Sequence, residues 1–382
     1  MRSRSPLLGA LLVLAWTLVI ACAAPGARST APAPAAARAV ATPGVPASVP
    51  AAAPEAQRLP TAPVRLKVGV QATANFGPLF VAADRGYFQE LGLDVELVPT
   101  SSVIEQLPAL AQGQLQVGAC TPNLACLNFL NRRADLRIVT SLQSAGQTER
   151  SSGSIALVAR KDLYDNGTIR EARDLVGRTV YLIGGEGSVP YIQVVRWLQR
   201  HGVDPKSIEA THMIFPDVFA AMQNGGIEVG YVGEPFVTLG NVRGVHQVLA
   251  TMEDMDPHTP SLYIMYWSGI DRLGDRVGER WMVAYLRAVR AYLDAFEYGR
   301  DLDTIIDVLI RETPLKDAAL YRQIKYSWVD PDGHVSREAI EADGRLLHEL
   351  GLLSAPPDLS QAFDDRYRQF AVQYLGPYQP PR

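Results

Sequence analysis

Histidine and cysteine are scarce in this chain, six and three among 382 residues. The histidines, at 201, 212, 246, 258, 334 and 348, include no pair spaced i, i+4. No H-E-x-x-H zinc helix, G-x-S-x-G nucleophile elbow or G-x-x-x-x-G-K-[ST] phosphate loop occurs. The neighbouring carboxylates Asp254/Asp256 and Asp364/Asp365 read as solvated loop charge. The residues therefore indicate no catalytic group, no cofactor and no metal. Basic charge is also lacking: the formal net charge of −4 argues against nucleic acid as a partner. Beyond the N-terminus no apolar run reaches spanning length, and 262–270 is far too short. That leaves no segments from which to build a channel or permease.

What is present begins with Arg2 and Arg4, followed by an apolar run over 7–21. This is the basic and hydrophobic order of a secretory signal, expected to occupy 1–21. The run ends Val19-Ile20-Ala21-Cys22, which resembles the bacterial lipobox, where small residues precede a cysteine that takes lipid. Cys22 is thus the expected lipidation site. Residues 22–63 are almost all Ala and Pro, with nothing to bury, and read as a disordered tether. At polyproline spacing such a tether reaches on the order of 100 Å. The expected location is outside the cytoplasm, held on the outer or periplasmic side of the cell membrane through the lipid alone. Cys120 and Cys126 remain, either as a disulfide or as buried thiols.

From Val64 the pattern becomes that of alternating strands and helices. "VRLKVGV" (64–70) alternates like a half-buried strand, 75–92 has helical period, and 93–99 is a second strand. A helix over 103–113 closed by Gly113, a strand over 115–120, a helix from 123 and a strand over 136–143 follow. A second series has strands at 179–183, 208–215 and 227–233, with helices after the first two; beyond Ile270 the chain reads as helical. This order predicts an α/β protein with open, mainly parallel sheets and crossover helices.

Four segments in order carry a family resemblance: "ADRGYFQELGLDVEL" (83–97), "LPALAQGQLQVG" (107–118), "ARDLVGRTV" (172–180) and "AAMQNGGIEVGYVGEPF" (220–236). They resemble the ABC-transporter solute-binding proteins that handle nitrate, alkanesulfonates, taurine and thiamine-type pyrimidines, with lipoproteins similar to this group binding riboflavin. Gln116 and Glu228 stand where that pattern has Asp, and Gly233 where it often has Trp. The resemblance implies a two-lobed periplasmic-binding-protein fold of type II, the Venus flytrap, with a helical C-terminal part. Lobe 1 would comprise 64–151 plus 251–382, and lobe 2 would comprise 152–250. Crossovers near 152–160 and 244–262 would join them. The implied partners are a small-molecule ligand, an ABC permease and its ATPase, with the protein itself monomeric.

Ligand is then expected between the lobes, at strand-to-helix loops. The candidates are Asn75, Phe76, Ser101, Ser102, Thr121, Asn123 and Ser144 in the first lobe, and Glu186, Ser188, Tyr191, Tyr231 and Glu234 in the second, with Tyr263 just beyond. Ser101 and Ser188 also sit where helix N-caps belong. The loop "LIGGEGSVPYIQ" (182–193) lacks the Lys of a phosphate loop, and Pro190 replaces the third Gly of a dinucleotide loop. Glu186, Asp217 and Glu234 place acid where an anion site wants cations; the clearest nearby cation is Arg150. Together with Phe76, Tyr191, Tyr231, Phe236, Tyr263 and Trp267, these charges favour a neutral planar heterocycle, a thiamine-type pyrimidine or riboflavin. The alternatives are an alkanesulfonate, taurine or nitrate receptor of the same class, a sensory lipoprotein, and a synthase of a pyrimidine precursor.

Overall fold

A computed structural model describes residues 59–132, 135–258 and 261–381. The expected signal, Cys22 and most of the tether lie outside the described residues. From the N-terminal side the elements are β1 (Val64–Val70), α1 (Gly77–Asp84), α2 (Tyr87–Glu90), β2 (Leu93–Pro99), α3 (Val103–Ala111), β3 (Val117–Cys120), α4 (Leu124–Arg132) and β4 (Leu136–Gln143). The middle of the chain gives β5 (Ile155–Arg160), α5 (Lys161–Asp165), β6 (Thr179–Leu182), α6 (Val189–Arg200), β7 (Glu209–His212), α7 (Phe215–Gln223), β8 (Val229–Gly233), α8 (Phe236–Val242) and β9 (His246–Thr251). Then come α9 (Met252–Met255), β10 (Leu262–Trp267), α10 (Val277–Tyr298), α11 (Leu302–Glu312), α12 (Ala318–Tyr321), α13 (Arg337–Glu349) and α14 (Arg366–Leu375). None of these helices is long and apolar enough to cross a membrane.

Two five-stranded sheets result, ordered β2-β1-β3-β10-β4 and β7-β6-β8-β5-β9. In each, four strands run one way and a single strand the other, so the mainly parallel expectation holds with one antiparallel strand per sheet. β10 runs antiparallel to both β3 and β4, and β5 antiparallel to both β8 and β9. Three of these strands, β5, β9 and β10, fall in or beside the segments read as crossovers. In "LYIMYW" both faces are covered, so no alternation marks it as a strand. The helix expected over 75–92 is split: Gly86 adopts φ of +71° between α1 and α2, a left-handed conformation that stops the first helix.

The largest apolar cluster lies on the first sheet, where α10 packs against α1, α2 and α14. Trp281 is its centre, stacked on Tyr285 at 5.1 Å and meeting Tyr266 edge-on at 5.6 Å. A second cluster is continuous across both sheets. It joins Leu127 of α4 and Ile138 of the first sheet to Leu157 and Val180 of the second, with Ile340 and Leu347 of α13 completing it. The lobes are therefore held together by dry packing as well as by their connecting strands. Within this region Cys120 and Cys126 form a disulfide.

Candidate functional site

Where the carboxyl ends of the two sheets face one another, a cavity of about 560 Å³ opens. That volume suits a small organic solute. The loop after β1 contributes Thr73 and Asn75, and the end of β4 contributes Gln143. From the second sheet come Ile183, Phe215, Gly233, Glu234 and Phe236. The wall is completed from the C-terminal part by Tyr292, Phe296 and the segment 313–327. Gly233 matters for space: a Cβ there would lie 2.7 Å from the Phe215 ring, so the missing side chain admits that ring.

Polar groups in the wall form two sets. Asn75 donates from Nδ2 to Gln143 Oε1 at 2.9 Å, and Ser327 Oγ donates to Asn75 Oδ1 at 2.7 Å. Gln143 Nε2 reaches Ser327 Oγ at 3.4 Å, closing a triangle whose three members fix one another's orientation. The second set surrounds Glu234, whose carboxylate accepts from Thr238 N and Oγ1 at 3.0 and 2.8 Å and from Lys325 N at 3.0 Å. Burial pushes the Glu234 carboxyl above the ordinary carboxylate range, and these hydrogen bonds offset only part of that. Lys325 is the cation in the wall, and its ammonium donates to the Glu149 carbonyl at 2.5 Å. No arginine lines the cavity among the described residues.

Asn75 and Glu234, both expected at the site, line this cavity. The other expected residues stand elsewhere. Phe76 is fully buried in the first sheet's core. Ser102 is the N-cap of α3, accepting from Glu105 N, while Ser101 hydrogen-bonds the Glu105 carboxylate. Asn123 Oδ1 accepts from Cys126 N at 2.9 Å, and its neighbour Thr121 is half-buried at the end of β3. Ser188 caps α6, accepting from Tyr191 N and donating to Gly185 O at 2.6 Å. Tyr191, Tyr231 and Tyr263 are packed in the cluster that joins the sheets. Tyr231 donates its hydroxyl to Gln193, and the Tyr263 hydroxyl contacts Cys126 Sγ at 3.2 Å. Glu186 is exposed beside Tyr191.

The loops carrying these residues meet across the cleft. Leu124 N donates to Gly187 O at 3.0 Å, a direct backbone bond from one lobe to the other. Ser144 borders a separate, broader and polar groove with Arg196, Asp256, His258 and His334. There Arg196 pairs with Asp256 and, at 2.7 Å, with the buried Asp343.

The segment 313–327 belongs to the stretch that reads as helical from sequence and contains α12, but none of its residues is among the expected site residues. Ser327 and Lys325 are tied to the wall by their hydrogen bonds to Asn75 and Glu234. Of the cavity rings, Phe215 and Phe236 stand at the starts of α7 and α8, immediately after strand-ending segments, so their place was legible.

A model of the NMT1-like family matches residues 60–264, from just before β1 into β10. The chain belongs to the NMT1-like family. This NMT1-like chain is 26% identical over 264 residues to the nitrate import ATP-binding protein NrtC of Synechococcus elongatus, covering 66% of this chain and 38% of that protein. It is also 26% identical over 180 residues to the taurine-binding periplasmic protein of Escherichia coli, covering 46% and 49%. The chain thus spans less than half the length of either curated relative. In three dimensions it superposes on the alkanesulfonate-binding protein SsuA from Xanthomonas axonopodis pv. citri bound to MOPS, with a TM-score of 0.61 and 17% identity over 80% of this chain and 99% of that one. That likeness is one of fold: the NMT1-like chain has the two-lobed periplasmic-binding-protein architecture with a helical C-terminal part.

Proposed function

We propose that this NMT1-like protein is the solute-binding component of an ABC importer and that it holds a neutral, planar heterocycle between its lobes. Fold, family and the nitrate- and taurine-transport relatives support the transport role. The lobes closed on solute would be the form that a permease and its ATPase recognise. Lipid on Cys22 would keep the monomeric binding protein near that permease; metabolic labelling with palmitate, lost in Cys22→Ala, tests the anchor.

The observation that carries the ligand class is the cavity wall: aromatic and aliphatic side chains, a half-buried carboxyl at Glu234 and no arginine among the described residues. An anion facing an ionised Glu234 in such surroundings meets repulsion of several kcal/mol. A neutral ring avoids it, stacks on Phe215 or Phe236 for about 1 kcal/mol beyond burial, and hydrogen-bonds at its edge to Asn75 and the Glu234 carboxyl. Thiamine-type pyrimidines fit this description, and riboflavin is the larger member of the class.

Lys325 in the wall and the names of the relatives favour a second reading, an alkanesulfonate, taurine or nitrate receptor. Calorimetry on the full chain decides between them. A 4-amino-5-hydroxymethylpyrimidine or riboflavin should give binding heat, and taurine, hexanesulfonate and nitrate none. Tight binding of any of the three anions, with no heat from the heterocycles, overturns the first reading.

A further inference from the structure

The chain passes from the first sheet to the second over 144–154, between β4 and β5, and returns between β9 and β10. Glu253 of the return binds the outward crossing with both carboxylate oxygens, accepting from Gly146 N at 2.6 Å and Gly153 N at 3.0 Å. The segment 325–328 is bonded along the same outward crossing. Trp328 O accepts from Ser144 N at 2.9 Å, Tyr326 N donates to Arg150 O at 3.2 Å, and the Lys325 ammonium donates to Glu149 O. Glu297 of α10 fastens the two together, since its Oε1 accepts from both Thr148 Oγ1 and the Tyr326 hydroxyl.

This segment also holds one cavity residue from each sheet. Lys325 N donates to Glu234, which directly follows β8 of the second sheet. Ser327 Oγ donates to Asn75, in the loop after β1 of the first. Only Lys325, Tyr326 and Ser327 lie between those bonds, about 10 Å of chain at full extension. Parting the sheets at this point therefore breaks one bond or the other. The bond to the Glu234 carboxylate is charge-assisted and the bond to the Asn75 amide is not, so the Asn75 bond gives first.

We propose that 325–328 is a third, noncovalent crossing between the sheets, and that Thr148, Glu297 and Ser327 are positioning residues. They hold Asn75 and Glu234 at the spacing that a bound solute bridges. The role toward solute rests on reading the cavity as the solute site. A solute bonded to both residues keeps the Asn75 bond made, and so firms the segment and the outward crossing together.

The test is hydrogen exchange read by mass spectrometry on the full chain, over the stretches 143–153 and 322–330. Without ligand, Thr148→Val, which lies outside the cavity wall, should speed exchange of 322–330 about fivefold, the worth of one hydrogen bond. Ser327→Ala should do the same to 143–153, and Thr148→Ser should match the wild type. The stretch 161–178, beyond β5, should stay unchanged in each variant. Acceleration confined to the substituted stretch, or equal throughout the chain, refutes the crossing. Added 4-amino-5-hydroxymethylpyrimidine should slow both stretches in the wild type and bind Thr148→Val about fivefold more weakly through faster dissociation. Unchanged affinity in that variant refutes the positioning role. If neither this pyrimidine nor riboflavin binds the wild type, the heterocycle reading falls and the positioning role with it, while exchange without ligand still upholds or refutes the crossing.

Discussion

Gly187 is the position where a single added carbon separates a closed cleft from an open one. Its φ of +77° lies in the left-handed region, which costs an L side chain about 1–2 kcal/mol. A Cβ there would also stand 3.2 Å from Leu124 Cβ and 3.3 Å from Leu124 Cδ2, across the cleft. Gly187→Ala therefore carries two costs, of which only the second depends on the lobes touching. Leu124→Gly removes the opposing atoms at its own price in helix stability, which a double-mutant cycle cancels. In the Leu124→Gly background Gly187→Ala should cost about 0.5–1 kcal/mol less than in the wild type. The assay is urea unfolding followed by tryptophan fluorescence, with stability read from the midpoint at constant slope. Additivity within about 0.3 kcal/mol would refute the contact and, with it, the closed arrangement of the lobes.

Glu234→Gln tests the raised carboxyl. The folded chain holds that proton more tightly than the unfolded one, so wild-type stability should fall as pH rises from the ordinary carboxylate value through the raised one. The Gln variant should lack that decline; melting curves between pH 4 and 8 show it, and parallel curves would contradict it. Asn75→Ala opens the Asn75–Gln143–Ser327 triangle and leaves the amide of the buried Gln143 short of a partner, a loss of about 1–2 kcal/mol. The same change should weaken heterocycle binding about tenfold in calorimetry, as expected for one lost hydrogen bond. Reducing the bond between Cys120 and Cys126, six apart in sequence, frees a short loop and should cost about 2 kcal/mol, read as a lower urea midpoint with dithiothreitol.

The strands that could be read from sequence are those that alternate or sit between glycine-closed helices. β1 and β2 have the bounds expected from their patterns, because each has one face that mixes polar and apolar residues. β5 and β10 could not be read this way, since their central residues are buried on both faces and their antiparallel pairing is set by strands distant in sequence. A similar limit applies to the cavity. Asn75 and Glu234 sit just beyond strand ends, where the α/β pattern places loops. Ser327 comes to Asn75 from 252 residues away, and nothing local to it marks the site. Tyr191, Tyr231 and Tyr263 illustrate the converse: an aromatic near a strand end looks the same whether it faces a cleft or, as here, fills the apolar packing between sheets.

The central claim is that the cavity at Asn75 and Glu234 holds a neutral heterocyclic solute. Its most direct test is mass spectrometry of the small molecules released on denaturing the purified full chain, beside those released from an Asn75→Trp variant whose cavity is filled. The account predicts a neutral heterocycle near one per chain from the wild type and its loss from the variant. A sulfonate or nitrate in its place, or the same heterocycle in equal amount from both proteins, would contradict it.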